Sequence, residues 1–169
     1  MNRSLTKQQL IDLILANKGI IIKICNSYCS DKNYREDLGQ EIIYQLLRSG
    51  ENFQSGNKFS TWMYRIALNV AISFYRKQKT NTQVVAYTDL PFEIEDTDDG
   101  KREMNENISR LQKMISLLGP LDKAMMLLYL DSKSYAEIAE VLDITETNVA
   151  TRISRIKIRL KQQFNYLNQ

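Results

Sequence analysis

The sequence predicts an all-α protein: two small helical domains joined by an acidic linker, the second ending in a helix-turn-helix. Three observations carry this. Apolar residues recur at helical spacing through most of the chain, and Gly and Pro are few, six and two in 169 residues. An apolar fraction of 43% with 25% charged residues is that of a globular chain. Between the two periodic halves, Thr80 to Gly100 carries Asp89, Glu93, Glu95, Asp96, Asp98 and Asp99, no Lys or Arg and no sustained apolar period. The expected division is therefore 1–79, a linker over 80–103, and 104–169.

In chain order, residues 6–29 read as one helix interrupted near Asn17-Lys18-Gly19, or as two short ones. Leu10, Leu13, Ile14, Ile20, Ile21, Ile24 and Tyr28 supply the apolar face. Asp31 to Asn33 is a turn signal. A helix from about Tyr34 to Arg48 follows, with Leu38, Ile42 and Leu46 inward, Asp37, Gln40, Glu41 and Tyr44 outward, and Ser49-Gly50 as a C-cap signature. After a loop over 51–58, Ser60 reads as the N-cap of a helix reaching about Gln78, with a hydrophobic staple between Phe59 and Tyr64. Its inward face is expected to be Met63, Ile66, Ala67, Val70 and Phe74, with Trp62 at the margin. Arg65, Asn69, Ile72 and Arg76 fall on the opposite side.

The second half opens with a helix over 104–118, with Ile108, Leu111, Ile115 and Leu118 inward, ended by Gly119-Pro120. A helix over about 121–131 carries Ala124, Met125, Leu127 and Leu128. Ser134 and Glu137 form a capping box ahead of Tyr135, Ile138, Ala139 and Leu142. Asp143-Ile144 turns the chain, and Thr145 caps a longer helix with Val149, Ile153, Ile156 and Leu160 inward.

Several function classes drop out. With no histidine, the commonest general base and a common metal ligand are missing, and no nucleophile–base set or metal–carboxylate cluster is evident. No enzymatic activity and no cofactor or metal is expected. Cys25 and Cys29, the only cysteines, lie at i, i+4 in one expected helix, where a disulfide is geometrically unfavourable; reduced, at least partly buried thiols in a cytoplasmic protein are expected. No apolar run approaches the ~20 residues of a membrane span, and MNRSLTKQQL lacks the apolar core of a secretory signal. A net charge of +3 leaves the case for nucleic acid to the distribution of charge.

That distribution is informative in two places. On 59–77, two guanidinium groups and an amide share a stripe bordered by Trp62, Tyr64 and Tyr75, a pattern suited to phosphates and unstacked bases; the alternative is an ordinary amphipathic helix with a solvated face. On the last helix, Thr147, Thr151 and Ser154, flanked by Asn148 and Arg155, oppose the apolar face, and Arg152, Lys157, Arg159 and Lys161 add positive charge. Small polar groups ringed by cations suit major-groove reading; the alternative is a helical hairpin without a DNA role.

Three segments, Asp37-Leu38-Gly39-Gln40-Glu41, Phe59 to Asn69 (FSTWMYRIALN) and Tyr135-Ala136-Glu137-Ile138-Ala139, resemble in order and spacing the signatures of the sigma-70 family, in its extracytoplasmic-function (ECF) group. The resemblance implies a sigma factor that brings core RNA polymerase to promoters and opens the DNA, with region 2 in 1–79 and region 4 in 104–169. It implies that Asp37, Gln40, Glu41 and Tyr44 dock on a coiled coil of the largest polymerase subunit. It further implies that Asn57, Lys58, Trp62, Tyr64, Arg65, Asn69, Ile72, Ser73 and Arg76 serve the single-stranded −10 element. There Asn69 would meet a base edge, Arg65 and Arg76 would hold phosphates, and Trp62 and Tyr64 would organise the junction. Thr147, Asn148, Ala150, Thr151, Arg152, Ser154 and Arg155 would face the duplex −35 element. Ala150 departs from many relatives, which carry Lys or Arg after the valine, so Arg155, Arg152 and Thr151 are expected to carry more of the contact. The acidic linker would thread toward the polymerase active centre, and an anti-sigma factor is expected because the family usually has one. The competing reading is a two-domain helix-turn-helix regulator that acts without docking on polymerase.

Overall fold

The computed structural model describes residues 5–54, 56, 58–81 and 99–167. Among these, helices account for nearly all of the regular structure: α1 Lys7–Ala16, α2 Lys18–Tyr28, α3 Lys32–Ser49, α4 Phe59–Asn81, α5 Asp99–Ser116, α6 Pro120–Leu130, α7 Tyr135–Leu142 and α8 Glu146–Leu167. They build two compact units, one on the helices before residue 82 together with Glu140–Asp143, the other on the remaining helical residues after residue 98. Asn57 and residues 82–98, which hold most of the acidic run, lie outside the described residues. Of the expected linker, 80–81 complete α4, and α5 starts at Asp99, earlier than the expected start at 104.

In the first unit, Thr6 and Gln9 form a reciprocal capping box at the start of α1, a signal the sequence reading passed over. The chain then breaks at Asn17, so the two-helix reading of 6–29 holds. Asp31 caps α3 by accepting the backbone N–H groups of Asn33 and Tyr34. Leu38, Ile42 and Leu46, the inward stripe of α3, are all fully buried. Gly50 is the C-cap of α3, as expected, but it does not take the left-handed conformation common at such sites. Its φ is −60°, in the right-handed region, and the chain continues as a short 3-10 turn, Gly50–Asn52. Glycine is required there for space: a Cβ would run into the Cδ2 of Leu10 and sit 3.3 Å from its Cγ.

Helix α4 differs more from expectation. It begins at Phe59, so the Lys58 carbonyl receives the first N–H groups, from Thr61 and Trp62, and Ser60 lies in the first turn rather than at the cap. Phe59 packs on Trp62 and Phe53, with ring centroids 5.3 and 5.4 Å away. The dry face of α4 is Met63, Tyr64, Ala67, Leu68 and Ala71; Ile66, Val70 and Phe74 are only half-buried. The reason is that α4 packs on α2 as well as α3. Two neighbours demand a wider inward face than one stripe, and the second draws in Tyr64 and Leu68. Tyr75 meets Tyr28 of α2 edge to face at 6.3 Å.

In the second unit, Met114, Ile115, Leu118, Ala124, Met125, Leu127, Leu128, Val149, Ile153, Ile156 and Leu160 are buried. Ile108, expected inward, is exposed, and Leu111 is half-buried; with Leu160 and Phe164 they line an open hollow between α5 and α8. Pro120 occupies the first turn of α6, where its missing N–H leaves no bond unmade.

Neither cysteine is in a disulfide, and both are buried. Burial pushes the Cys25 thiol up to about 11, against the lowering influence of the Arg35 guanidinium. A raised thiol value means that stability is intact below the ordinary value of 9.0 and is lost as pH rises from there through about 11. We therefore expect the urea midpoint to fall over that alkaline window, and Cys25 to resist alkylation under mildly alkaline conditions until urea unfolds the chain. Truncation of a fully buried anchor, Leu38→Ala, should cost about 2–5 kcal/mol in the same urea titration.

Candidate nucleic-acid interface

On the first unit, the buried anchors of α3 turn Asp37, Gln40, Glu41 and Tyr44 outward, and all four are exposed. Between α3 and α4 lies a hollow of about 710 Å³. Asp37, Glu41 and Gln45 form its α3 wall, and Gln45 Nε2 donates to Glu41 Oε1 at 3.0 Å. The α4 wall carries Asn69, Ser73 and Lys77 over a floor of Ile66, Val70 and Phe74. The three side chains that failed to enter the core thus make the apolar base of a groove with carboxylates on one side. That is the chemistry for a basic, amphipathic segment, whose cations meet Asp37 and Glu41 while its aliphatic side rests on the floor. Asp37 and Glu41, expected to bind a protein, and Asn69 and Ser73, expected to bind DNA, line this one groove.

Arg65, Asn69, Ser73 and Arg76 are exposed along α4, as is Lys58 ahead of it, while Ile72 is half-buried. Trp62 is half-buried and packs against Phe53 and Phe59, with ring centroids 5.4 and 5.3 Å away. Tyr64 requires a correction. It is completely buried, with its hydroxyl 3.4 Å from Lys23 Nζ, and cannot offer its ring to a base. Exposed Ile43 and Leu47, beside Gln40, Glu41 and Tyr44, were missed by the sequence reading. The available signal was their position off the inward stripe of α3, which leaves apolar groups with nothing to cover them in the free chain.

On the second unit, α7 and α8 and their connection follow the sequence closely. Ser134 and Glu137 cap each other's backbone N–H groups, at 2.9 and 3.1 Å. Asp143 adopts a left-handed φ of 55°, and the Ile144 N–H returns to the Ala139 carbonyl at 3.1 Å. Thr145 Oγ1 accepts from the Asn148 N–H at 3.1 Å, which starts α8. With Val149, Ile153, Ile156 and Leu160 inward, Thr147, Asn148, Thr151, Ser154 and Arg155 are exposed together, and Ala150 is half-buried. Exposed Ile158 continues this face and was not singled out in the sequence. Arg152, expected to contact DNA, is engaged within the protein: its Nη1 is 3.0 Å from Asp122 Oδ1 on α6, and its Nε donates to Asn148 Oδ1. Lys157 is stationed 4.5 Å above the Tyr129 ring.

Two family models match this arrangement, sigma-70 region 2 over residues 13–80 and sigma-70 region 4 over residues 108–160. The chain belongs to the sigma-70 family. Relatives place it in the ECF group. The ECF RNA polymerase sigma factor SigW of Bacillus subtilis is 29% identical, over 92% of this chain and 89% of its own. The ECF RNA polymerase sigma-E factor of Haemophilus influenzae is also 29% identical, over 80% and 77%. In fold, the chain is similar to the sigma factor RpoE of Bartonella quintana, solved with the anti-sigma factor NepR, at a TM-score of 0.71 and 18% identity over 91% of this chain and 95% of that one. CnrH, solved with the cytosolic domain of CnrY, gives 0.67 at 17% identity over 95% and 90%. No helix among the described residues is long and apolar enough to cross a membrane.

The burial of Tyr64 separates a core role from a DNA role. Tyr64→Ala should lower the thermal midpoint by the equivalent of about 3–5 kcal/mol, whereas Arg65→Ala, on the exposed side, should leave it nearly unchanged.

Proposed function

We propose that the chain is a promoter-recognition subunit of RNA polymerase, with residues 1–79 as the polymerase-docking and strand-capturing part, 104–169 as the duplex-reading part and 80–103 as the linker. The exposed outer face of α3 carries this reading. A regulator that merely bound duplex DNA would have no use for exposed Asp37, Gln40, Glu41 and Tyr44 next to uncovered Ile43 and Leu47. A docking face for a basic coiled coil on polymerase accounts for all six. Promoter opening then needs no covalent chemistry from this chain. Separating a base-pair step costs roughly 1–2 kcal/mol, and capture of an unstacked base returns a comparable amount. Asn69 is placed to take a base edge, Arg65 and Arg76 to hold phosphates, with Lys58 and Ser73 alongside. Asn57, Ile72 and Trp62 belong to the same segment, Trp62 packed against Phe53 and Phe59.

On the duplex side, Thr147, Asn148, Thr151 and Ser154 are placed to approach base edges, Arg155 to meet phosphate or guanine, and Ala150 to allow close approach. The chain would act in the cytoplasm beside its polymerase. An anti-sigma factor is a fitting regulator, since the RpoE and CnrH neighbours were each solved with a partner of their own.

In vitro transcription from a promoter library, with core polymerase and with or without this chain, tests the proposal; transcripts that need the chain are expected. Glu41→Lys should weaken core-enzyme binding by about tenfold, or ~1.4 kcal/mol, with the helical circular dichroism intact. Asn69→Ala should slow strand opening, read by permanganate reactivity, more than it reduces duplex binding, and Arg155→Ala should do the reverse. Equal loss of duplex affinity in both variants would refute the division of labour.

A further inference from the structure

Helix α6 reaches two of the cations that border the exposed face of α8. Asp122, at its start, holds the Arg152 guanidinium at 3.0 Å, and Tyr129, near its end, holds the Lys157 ammonium over its ring at 4.5 Å. At 3.6 residues per turn, Arg152 and Lys157 fall on opposite margins of the face that carries Thr147, Thr151 and Ser154. The Arg152 guanidinium is oriented twice, by the Asp122 carboxylate and by Asn148 one turn before it. Its side chain is 41% exposed, so it stands close enough to solvent to reach a phosphate once released.

We propose that Asp122 is a positioning residue for duplex recognition: it keeps Arg152 turned toward α6 and off the DNA backbone, so that the contact is dominated by the groups that read sequence. This rests on the reading of α8 as the duplex-facing helix. A guanidinium on a phosphate adds affinity for every sequence alike, and each phosphate so neutralised steepens the salt dependence of binding by about 0.9 in log K against log salt. Holding one cation back lowers affinity for every sequence alike and makes the salt dependence shallower.

The test uses holoenzyme assembled from the full chain and core polymerase. The probes are the strongest duplex promoter from the transcription library and a copy with its upstream element scrambled, titrated across a series of salt concentrations. Asp122→Asn should steepen the slope by about 0.9 and tighten binding to the promoter and to the scrambled copy by a similar factor. Arg152→Gln alone should leave the parent slope unchanged, and adding it to Asp122→Asn should return the slope to the parent value. A merely structural ion pair cannot produce that restoration. The proposal is overturned by an unchanged slope in Asp122→Asn, by steepening that persists in the double variant, or by a shallower slope in Arg152→Gln, which would mean that Arg152 already contacts phosphate. A parent holoenzyme that does not distinguish the two duplexes would refute the underlying assignment of α8 itself.

Discussion

The dry seam between α3 and α4 is the contact on which the first unit depends. Leu38, Ile42 and Leu46 meet a helix whose Met63, Ala67, Leu68 and Ala71 are equally inaccessible to water. Small residues at Ala67 and Ala71 let the two backbones approach, and close approach sets the azimuth of each helix as well as its position. Asp37 and Glu41 therefore look toward Asn69 and Ser73 across a fixed gap instead of pointing away on independent helices. The groove is a by-product of that packing: a helix held by two neighbours leaves part of its apolar surface, Ile66, Val70 and Phe74, at the rim.

A second constraint governs the C-terminal unit. Charge on α8 is abundant, but its usefulness depends on where α6 lets it point. A net charge of +3 could not by itself produce strong non-specific attraction to DNA. Arg155 stands on the exposed face while Arg152 and Lys157 are engaged by groups of α6, so the charge that faces outward is smaller than the sequence total for this helix. Small hydroxyl and amide side chains are left at the centre of the exposed face, where the reading of base edges requires them.

Much of this was legible in the sequence because local chemistry dictated it. The Ser134–Glu137 box, the Thr145 cap and the inward set of α8 each follow from neighbours within one or two turns, and the stripe on α3 follows from strict periodicity. What escaped depended on partners distant in sequence. Nothing near Tyr64 signals that α2 covers it, so an aromatic residue beside an arginine stripe looked available for stacking. Gly50 reads as a helix stop and is one, but its closeness to Leu10, forty residues earlier, has no signal nearby. The engagement of Arg152 with Asp122 was invisible for the same reason, since it crosses between helices separated by a turn and another helix. On α3, Ile43 and Leu47 were passed over because a reading by stripes assigns each apolar residue to the core or to accident.

The left-handed residue at Asp143 has a consequence for how such a unit tolerates change. Its backbone conformation closes the Ile144 N–H onto Ala139, and Thr145 starts the next helix at once, so the connection has no slack. Each residue of a helix advances the azimuth by about 100°. A single insertion between Asp143 and Thr145 would therefore either break the Thr145 cap or rotate α8 until Arg152 took the core place of Ile153 and Ile153 faced water. Substitutions on the exposed face leave this geometry intact, whereas the length of this turn is closed to change.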